Sequence, residues 1–217
     1  MAVDTTDMTE LLDVYDADRN WIGVADRNVV HTFGLWHKTI HCWLAMPSEN
    51  GGARRIVFQR RAANKTDGNK FYTTASGHLT AGDSVDVGFM RELQEEIGLN
   101  VSDLTPHLIS EGVYVCNFRK SGEKMFDRVF PSVYWAEFSG DLSDLKFNDG
   151  EVASVASIDT DDFMRLMNGL TETIPAREWT GAIMRDIMVG INDFVLQDGE
   201  TLETKYGHIA RAIKNAE

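Results

Sequence analysis

The stretch from Gly77 to Leu99 constrains the fold of this 217-residue chain more than any other. It reads GHLTAGDSVDVGFMRELQEEIGL, and its last third carries Glu92, Glu95 and Glu96. Residues three and four apart lie on the same side of a helix, so this spacing predicts an amphipathic helix with one acidic face. Gly98 follows, and glycine is the residue most often found just past the end of a helix.

The acidic face has two interpretations. Like charges at this spacing repel by roughly a few tenths of a kcal/mol per pair, and a solvated face usually intersperses lysine to relieve the repulsion. Here only Arg91 is nearby. The face is therefore either an ordinary acidic surface or a site for a hard divalent cation, because Mg²⁺ takes carboxylate oxygens and retains several waters.

The whole stretch, written G-x5-D-x7-R-E-L-x-E-E-x-G-L, resembles a known motif. This is the Nudix box, G-x5-E-x7-R-E-U-x-E-E-x-G-U, with U a bulky aliphatic residue. Asp83 is the one departure, since the family has glutamate there. The resemblance implies an α+β fold, an α/β/α sandwich with a mixed β-sheet in which the box forms a loop, a helix and a loop, plus extra C-terminal helices. It also implies a Nudix domain over residues 1–170 and a helical extension, 171–217, packed on the same domain.

Upstream segments extend the resemblance to one Nudix subgroup. GLWH (34–37), FQRRAANK (58–65) and SGH (76–78) resemble the subgroup that includes isopentenyl-diphosphate isomerase and its hydrolase-like relatives. The isomerases carry a cysteine where this chain has Ser76, a Glu-x-Glu pair that the stretch from Phe126 lacks, and a degraded box helix. These departures favour hydrolysis, since a serine hydroxyl neither ionises nor protonates a carbon readily at neutral pH.

The resemblance implies a metal centre at the box. It assigns one to three Mg²⁺ or Mn²⁺ ions to four ligands, the Gly77 carbonyl and the side chains of Glu92, Glu95 and Glu96. Arg91 would orient a box glutamate. The shorter side chain at Asp83 leaves these three glutamates untouched.

The resemblance also implies a substrate site. Arg61 and Lys65 match the subgroup's diphosphate-binding pair, and guanidinium groups suit phosphate oxygens. Glu151 matches a glutamate that assists the metal or the attacking water in some Nudix enzymes. The implied function is a metal-dependent hydrolase that cleaves a nucleoside diphosphate linked to X or a similar small organic diphosphate.

Two other functions stay open at this point. One is an isomerase acting on isopentenyl diphosphate, against which Ser76 and the complete box count. The other is a catalytically silent Nudix module that senses a nucleotide, against which the intact glutamates count.

Composition limits the partners and the compartment. A net charge of −13 argues against duplex nucleic acid, which needs a basic footprint, but not against a small phosphorylated substrate held by metal ions. No apolar run approaches the roughly 18 residues of a membrane span, and MAVDTTDMTE lacks the pattern of a secretory signal. With Cys42 and Cys116 expected to be buried free thiols, a reducing, cytoplasmic setting is predicted.

Three further patterns have competing interpretations. Asp16, Asp18 and Asn20 imitate the start of an EF-hand loop, but the glycine and glutamate that the loop requires are missing, so a hairpin turn is favoured. The histidines at 31, 37 and 41 suggest a metal site, yet their spacing does not imply a compact tripod, and core or hydrogen-bonded histidines are favoured. Finally, the apolar residues 179, 183, 187 and 191 at helical spacing predict a helix that covers the core or forms a homodimer face, before a last short helix through Ile209 and Ile213.

Overall fold

The computed structural model describes residues 10–48, 51–99, 104–120, 123–147 and 150–216. Residues 1–9, which bear on the expected absence of a secretory signal, lie outside this part. The strands are β1 (Leu11–Tyr15), β2 (Trp21–Asp26), β3 (Trp36–Met46), β4 (Arg55–Arg61), β5 (Phe71–Tyr72), β6 (Ala75–His78), β7 (His107–Glu111), β8 (Tyr114–Lys120), β9 (Glu123–Glu137), β10 (Val152–Asp159), β11 (Thr173–Trp179) and β12 (Met184–Gly190). The α-helices are α1 (Arg27–Phe33), α2 (Val85–Ile97), α3 (Thr160–Met167) and α4 (Leu202–Asn215).

The chain divides into two compact units. The first comprises Met1–Ile40, Gly77–Phe89 and Ser110–Ser132, and the second comprises His41–Ser76, Met90–Ile109 and Val133–Glu217. The division falls within β3, β6, α2, β7 and β9.

The first unit contains an antiparallel hairpin of β1 and β2 and an antiparallel pair of β8 and β9. One small cluster of its buried residues consists of Leu12, Val14 and Val30. Helix α1 was not predicted; it begins at its N-cap Asp26, whose carboxylate accepts a hydrogen bond from the Asn28 N–H, and ends at Gly34 with a φ of 64°. This helix places His31 beside the start of β3.

The polar turn between β1 and β2 is the predicted hairpin turn. The Asp16 carboxylate accepts hydrogen bonds from the backbone N–H groups of Asp18 and Asn20, each at 2.9 Å. An aspartate that bonds to the backbone two residues on is a common turn device. These hydrogen bonds explain the turn without a calcium-binding loop.

The second unit contains a sheet with helices on both faces. Its strands lie in the order β12-β11-β10-β4-β3 with antiparallel pairing, while an isolated bridge between Phe71 and Phe194 is parallel. On β4, Gln59 contacts Glu96 of α2, whereas the ring of Phe58 packs against Phe163 of α3 and Tyr206 of α4. Neighbouring residues of a strand point to opposite faces, so α2 covers one face and α3 and α4 cover the other. The predicted α/β/α layers are present in this unit.

Helix α2 ends where the sequence predicts. Gly98 adopts a φ of 66°, its N–H bonds to the Gln94 carbonyl, and the N–H of Leu99 reaches the carbonyl of Leu93. A side chain at Gly98 would also meet the Lys146 carbonyl at 2.9 Å. Both backbone conformation and space therefore require glycine here.

The predicted helix through Trp179, Ile183, Ile187 and Ile191 is wrong. Residues 173–179 and 184–190 form β11 and β12, joined in an antiparallel hairpin. A spacing of four is ambiguous, because it is also two steps of the strand period of two. Alternation in β11 would have been the better guide, since Ile174, Ala176 and Glu178 are its buried residues. The final helix is confirmed as α4, with Ile209 and Ile213 buried.

The two cysteines are both free thiols; Cys42 is buried as predicted, whereas Cys116 is partly exposed. Among the described residues, none of the helices combines the length and the hydropathy that crossing a bilayer requires.

Candidate active site

The acidic face of α2 has one exposed and two buried carboxylates. Glu92 and Glu96 are each only 6% exposed, whereas the side chain of Glu95 is 56% exposed. Glutamate is rarely this buried unless it is paired, because an ionised carboxylate loses much of its hydration. The two buried carboxylates therefore have a reason beyond solubility to be there.

Specific donors hold these carboxylates in place. Gln59 Nε2 donates to Glu96 at 2.9 Å, and the Ser76 backbone N–H donates to the same oxygen at 3.3 Å. Arg91 Nη1 lies 2.8 Å from a Glu92 oxygen and 3.4 Å from a Glu95 oxygen. Arg91 thus contacts two box glutamates, as an orienting residue must. Three carboxylates and one guanidinium leave a net negative charge that suits a divalent cation.

Cys42 lies on the strand face next to these glutamates. Burial raises the pKa of its thiol well above the ordinary value, and the charges of Glu92 and Glu96 raise it further. The thiol is therefore neutral at physiological pH and is not a nucleophile.

The three remaining predicted residues of the second unit meet at one end of β4. The Lys65 ammonium pairs with the Glu151 carboxylate, and the Ala62 N–H donates to the Glu151 carbonyl at 2.8 Å. Arg61 Nε donates to the Thr66 carbonyl at 2.8 Å, which fixes the guanidinium over the loop that follows β4. Because Arg61 is two residues after Gln59 on the same strand, its side chain projects from the same face of the sheet as that of Gln59, which is the face that α2 covers.

The neighbouring Arg60 has a different task. Its Nε lies 2.8 Å from Glu178, a fully buried carboxylate that also accepts from Ser154 and Arg185. These donors hold the pKa of Glu178 below its ordinary value despite burial, which acts in the opposite direction. Arg60 thus has a structural role, because its guanidinium pairs with the buried carboxylate of Glu178.

Gly77 and Asp83 belong to the first unit. Gly77 lies in β6, and Asp83 lies in the turn before α2, where its N–H bonds to the Thr80 carbonyl. The role of the Gly77 carbonyl as a metal ligand stays a prediction.

A histidine cluster in the first unit was only partly anticipated. His31 of α1, His37 of β3 and His78 of β6 bring one ring nitrogen each within 4.8 Å of one another. Asp127 of β9 adds a carboxylate, 3.7 Å from His31 Nε2 and 3.5 Å from His37 Nε2. We call these four residues the histidine cluster.

The ring orientations in the histidine cluster suit metal binding. His31 Nδ1 lies 2.8 Å from the Arg27 carbonyl and His37 Nδ1 lies 3.1 Å from the Leu35 carbonyl. Such contacts place a proton on Nδ1 of each ring and leave Nε2 facing Asp127. This assignment follows from the hydrogen-bond partners, as is usual for histidine.

Electrostatics in the histidine cluster favours a bound cation. Burial lowers the pKa of His37 to about 4, so its ring is neutral and able to act as a ligand. Burial raises the pKa of Asp127, which shows that its charge is poorly compensated. In the described part of the chain, His37 Nε2 and Asp127 Oδ1 are both buried without a hydrogen-bond partner. A divalent ion with imidazole and carboxylate ligands would satisfy both atoms.

The sequence grouping of His31 and His37 with His41 is only partly right. The prediction that these histidines are buried or hydrogen-bonded holds for His31 and His37, but the third member of the cluster is His78. His41 lies in the second unit, beside Tyr72 and α4. The sequence offered little to connect His78 and Asp127 with His31 and His37. His78 is the histidine of SGH and Asp127 follows Phe126, and neither lies at a spacing typical of metal ligands from the other members of the cluster.

His41 gives a prediction on stability. Burial, then the charges of Lys205 and His208, lower its pKa from 6.5 to about 4. The unfolded chain therefore takes up a proton at this position below pH 6.5 while the native ring stays neutral, and the contribution to stability is lost as the pH falls toward 4. We expect a loss of about 2 kcal/mol at most, since the ring is partly exposed. Urea unfolding at several pH values should show a shallower pH dependence in His41→Gln; equal slopes would contradict this.

The sequence profile of the NUDIX domain matches residues 39–178. An uncharacterized Nudix hydrolase of Clostridium acetobutylicum is 32% identical over 161 residues, which cover 73% of this chain and 74% of that protein. An isopentenyl-diphosphate Δ-isomerase of Serratia proteamaculans is 33% identical over 94 residues, or 43% of this chain and 50% of that one.

The fold is similar to that of a solved structure. A crystal structure of a Deinococcus radiodurans protein matches with a TM-score of 0.53 and 16% identity, and covers 74% of this chain and 90% of that one. At this level of identity the match supports the fold alone.

Proposed function

We propose that this chain, which belongs to the Nudix family and is a pyrophosphohydrolase, cleaves a nucleoside diphosphate linked to X or a similar small organic diphosphate. The observation that carries the proposal is the pair of buried carboxylates, Glu92 and Glu96, next to Arg91 and the exposed Glu95 on α2. Burying two like charges side by side is costly unless a cation compensates them. The proposal therefore includes a requirement for Mg²⁺ or Mn²⁺.

Nudix hydrolases generally use divalent metal ions. Here Glu92, Glu95 and Glu96 would hold one to three of them, and the histidine cluster would hold a separate ion. When bound at the glutamates, such ions neutralise phosphate oxygens and lower the pKa of a water molecule.

The side chains around the diphosphate have separate roles in this proposal. Arg61 and Lys65 bind the phosphate oxygens, for which Lys65 exchanges its ion pair with Glu151 for one with the substrate. Glu151, or a box glutamate, takes the proton as water attacks phosphorus and the bridging P–O bond breaks. The bridging oxygen leaves with the second phosphoryl group, so the products are two phosphorylated fragments. From a triphosphate they would be a monophosphate and pyrophosphate.

A substrate panel tests the proposal. Phosphate or pyrophosphate release would be measured with Mg²⁺ and with Mn²⁺ across nucleoside triphosphates, nucleotide sugars, dinucleoside polyphosphates, ADP-ribose, NADH, CoA, thiamine diphosphate and isopentenyl diphosphate. We expect metal-dependent hydrolysis of at least one class. Isomerisation of isopentenyl diphosphate without hydrolysis would favour the isomerase function instead. If no compound of the panel is hydrolysed but one of them raises the thermal stability of the protein, a sensor module would be favoured.

Arg61→Gln should raise the KM of the best substrate by about tenfold or more and change kcat less, because a charge-assisted contact to phosphate is lost in the bound state. Steady-state kinetics would measure both constants. Arg165→Gln on α3 removes an equally charged side chain that is 60% exposed, and it serves as the control. An unchanged KM in Arg61→Gln would remove this residue from the substrate site.

A further inference from the structure

The ring of Tyr72 in the second unit lies near Arg61, which the proposed function assigns to the diphosphate, and near Lys205 of α4, which the proposed function does not use. Lys205 Nζ lies 5.5 Å from the ring centroid and the Arg61 guanidinium carbon lies 5.6 Å from it. The ring of His41 lies 6.0 Å away in an edge-on arrangement. Strands β3, β4 and β5 and helix α4 therefore meet at one aromatic ring flanked by two cations. We call Tyr72, His41 and Lys205 the Tyr72 recess.

The cations near the Tyr72 recess are accompanied by two acidic side chains, Glu200 and Glu203. Lys205 of α4 pairs with Glu200 at 2.8 Å, and the two side chains are 13% and 24% exposed. His208 follows one turn later on α4 and lies close enough to influence His41 electrostatically. Glu203, the other acid of this turn, is paired with Arg211 at 2.5 Å. Both acids are thus engaged by cations, and Arg61, whose Nε bonds to a backbone carbonyl, adds a further positive charge beside the Tyr72 ring that attracts anions.

His41 adds a neutral polar group to the recess. Its ring is only partly buried, and in the described part of the chain it has no hydrogen-bond partner among the contacts that the structure shows. Burial and the nearby cations keep the imidazole neutral at physiological pH, so it offers one donor and one acceptor. A polar ring in this situation can bind a ligand without first breaking an internal bond.

We propose that Lys205 and His41, arranged around the ring of Tyr72, bind an anionic group of the substrate beyond the diphosphate held by Arg61. This inference rests on the proposed function, since Arg61 provides the link between the two parts of the site. Lys205 and Arg61 both lie within 5.6 Å of the centroid of the Tyr72 ring, so the two cations border one aromatic side chain. The ion pair of Lys205 with Glu200 does not prevent anion binding, because a phosphate with two charges competes well with one partly exposed carboxylate. The preferred substrates then carry a further phosphate or carboxylate group, and α4 contributes to specificity.

Titration calorimetry with inorganic pyrophosphate and inorganic triphosphate, in EDTA at constant ionic strength, tests the proposal on the full chain. We expect the parent protein to bind triphosphate more tightly than pyrophosphate. Lys205→Gln should weaken triphosphate binding by about tenfold and change pyrophosphate binding by less than about twofold. Lys205→Arg should restore the preference, whereas Arg61→Gln should weaken the binding of both anions.

The control is Lys214→Gln, which removes a lysine of the same helix that is paired with Asp161 at 2.5 Å and 39% exposed. The proposal is overturned if the parent protein shows no preference for triphosphate, or if the variants at 205 and 214 behave alike. If the protein prefers triphosphate but hydrolyses nothing in the panel, the anion site is supported and the proposed function is contradicted. If the protein hydrolyses a substrate but shows no preference for triphosphate, the proposed function is supported and the anion site is contradicted.

Discussion

We expect Glu96→Gln to lower turnover of the best substrate by about a thousandfold and to leave the fold intact. The carboxylate of Glu96 is buried and held by Gln59 and the Ser76 N–H, so its position is fixed before any metal binds. Glutamine preserves the shape and one acceptor oxygen but removes the charge that a divalent cation requires. Losing several kcal/mol of metal-dependent stabilisation of the transition state corresponds to a rate loss of this order.

Two measurements separate this effect from unfolding. Turnover is measured at saturating Mg²⁺ or Mn²⁺, and thermal unfolding is followed by circular dichroism in the same buffer. Asp86→Asn is the matched control, because it removes one exposed carboxylate from the first turn of the same helix. Full turnover in Glu96→Gln, with a metal still required, would show that Glu96 is not a ligand.

We expect His37→Gln to weaken the binding of a divalent ion at the histidine cluster by at least about 100-fold. In the parent protein the neutral imidazole of His37 faces the partly exposed carboxylate of Asp127, whose pKa is raised by burial, with Nε2 and Oδ1 3.5 Å apart. Both of these atoms are buried without a hydrogen-bond partner in the described part of the chain. An ion with a preference for imidazole, such as Co²⁺ or Zn²⁺, satisfies both. Since changes around metal ligands already weaken affinity by about 10- to 100-fold, loss of a ligand should cost at least about 100-fold.

Cobalt titration followed by visible absorption measures this binding without relying on activity. It is carried out in the Glu96→Gln background, so that an ion at the box glutamates contributes less to the signal. His41→Gln is the control, because sequence reasoning grouped His41 with His31 and His37 while the structure places it elsewhere. Equal cobalt affinities in the two histidine variants would show that the histidine cluster is a set of core residues without a metal.

The sequence determined the centre of the proposed active site. Helix α2, its end at Gly98 and the shared face of Glu92, Glu95 and Glu96 all follow from local spacing. An α-helix completes a turn about every 3.6 residues, so residues three and four apart lie on the same face once the helix forms. The family resemblance was carried by the same short stretch, and the match over residues 39–178 agrees with it.

Longer-range features were decided by the tertiary structure. Asp127 and His78 join His31 and His37 because β9, β6 and α1 converge on β3, and no sequence period connects elements so far apart. The ion pair of Lys65 with Glu151 depends in the same way on the pairing of β10 with β4.

In the C-terminal region the local sequence pattern was ambiguous, and the tertiary structure decided between its two interpretations. Apolar residues four apart from Trp179 fit both a helix and a strand, and pairing of β11 with β10 and β12 selected the strand. Local sequence therefore determined the acidic helix and its glutamates, because its geometry is complete within a few residues. Packing between distant segments decided the histidine cluster, the partners of the cations proposed to bind substrate and the Tyr72 recess, because their geometry exists only once the sheet has assembled.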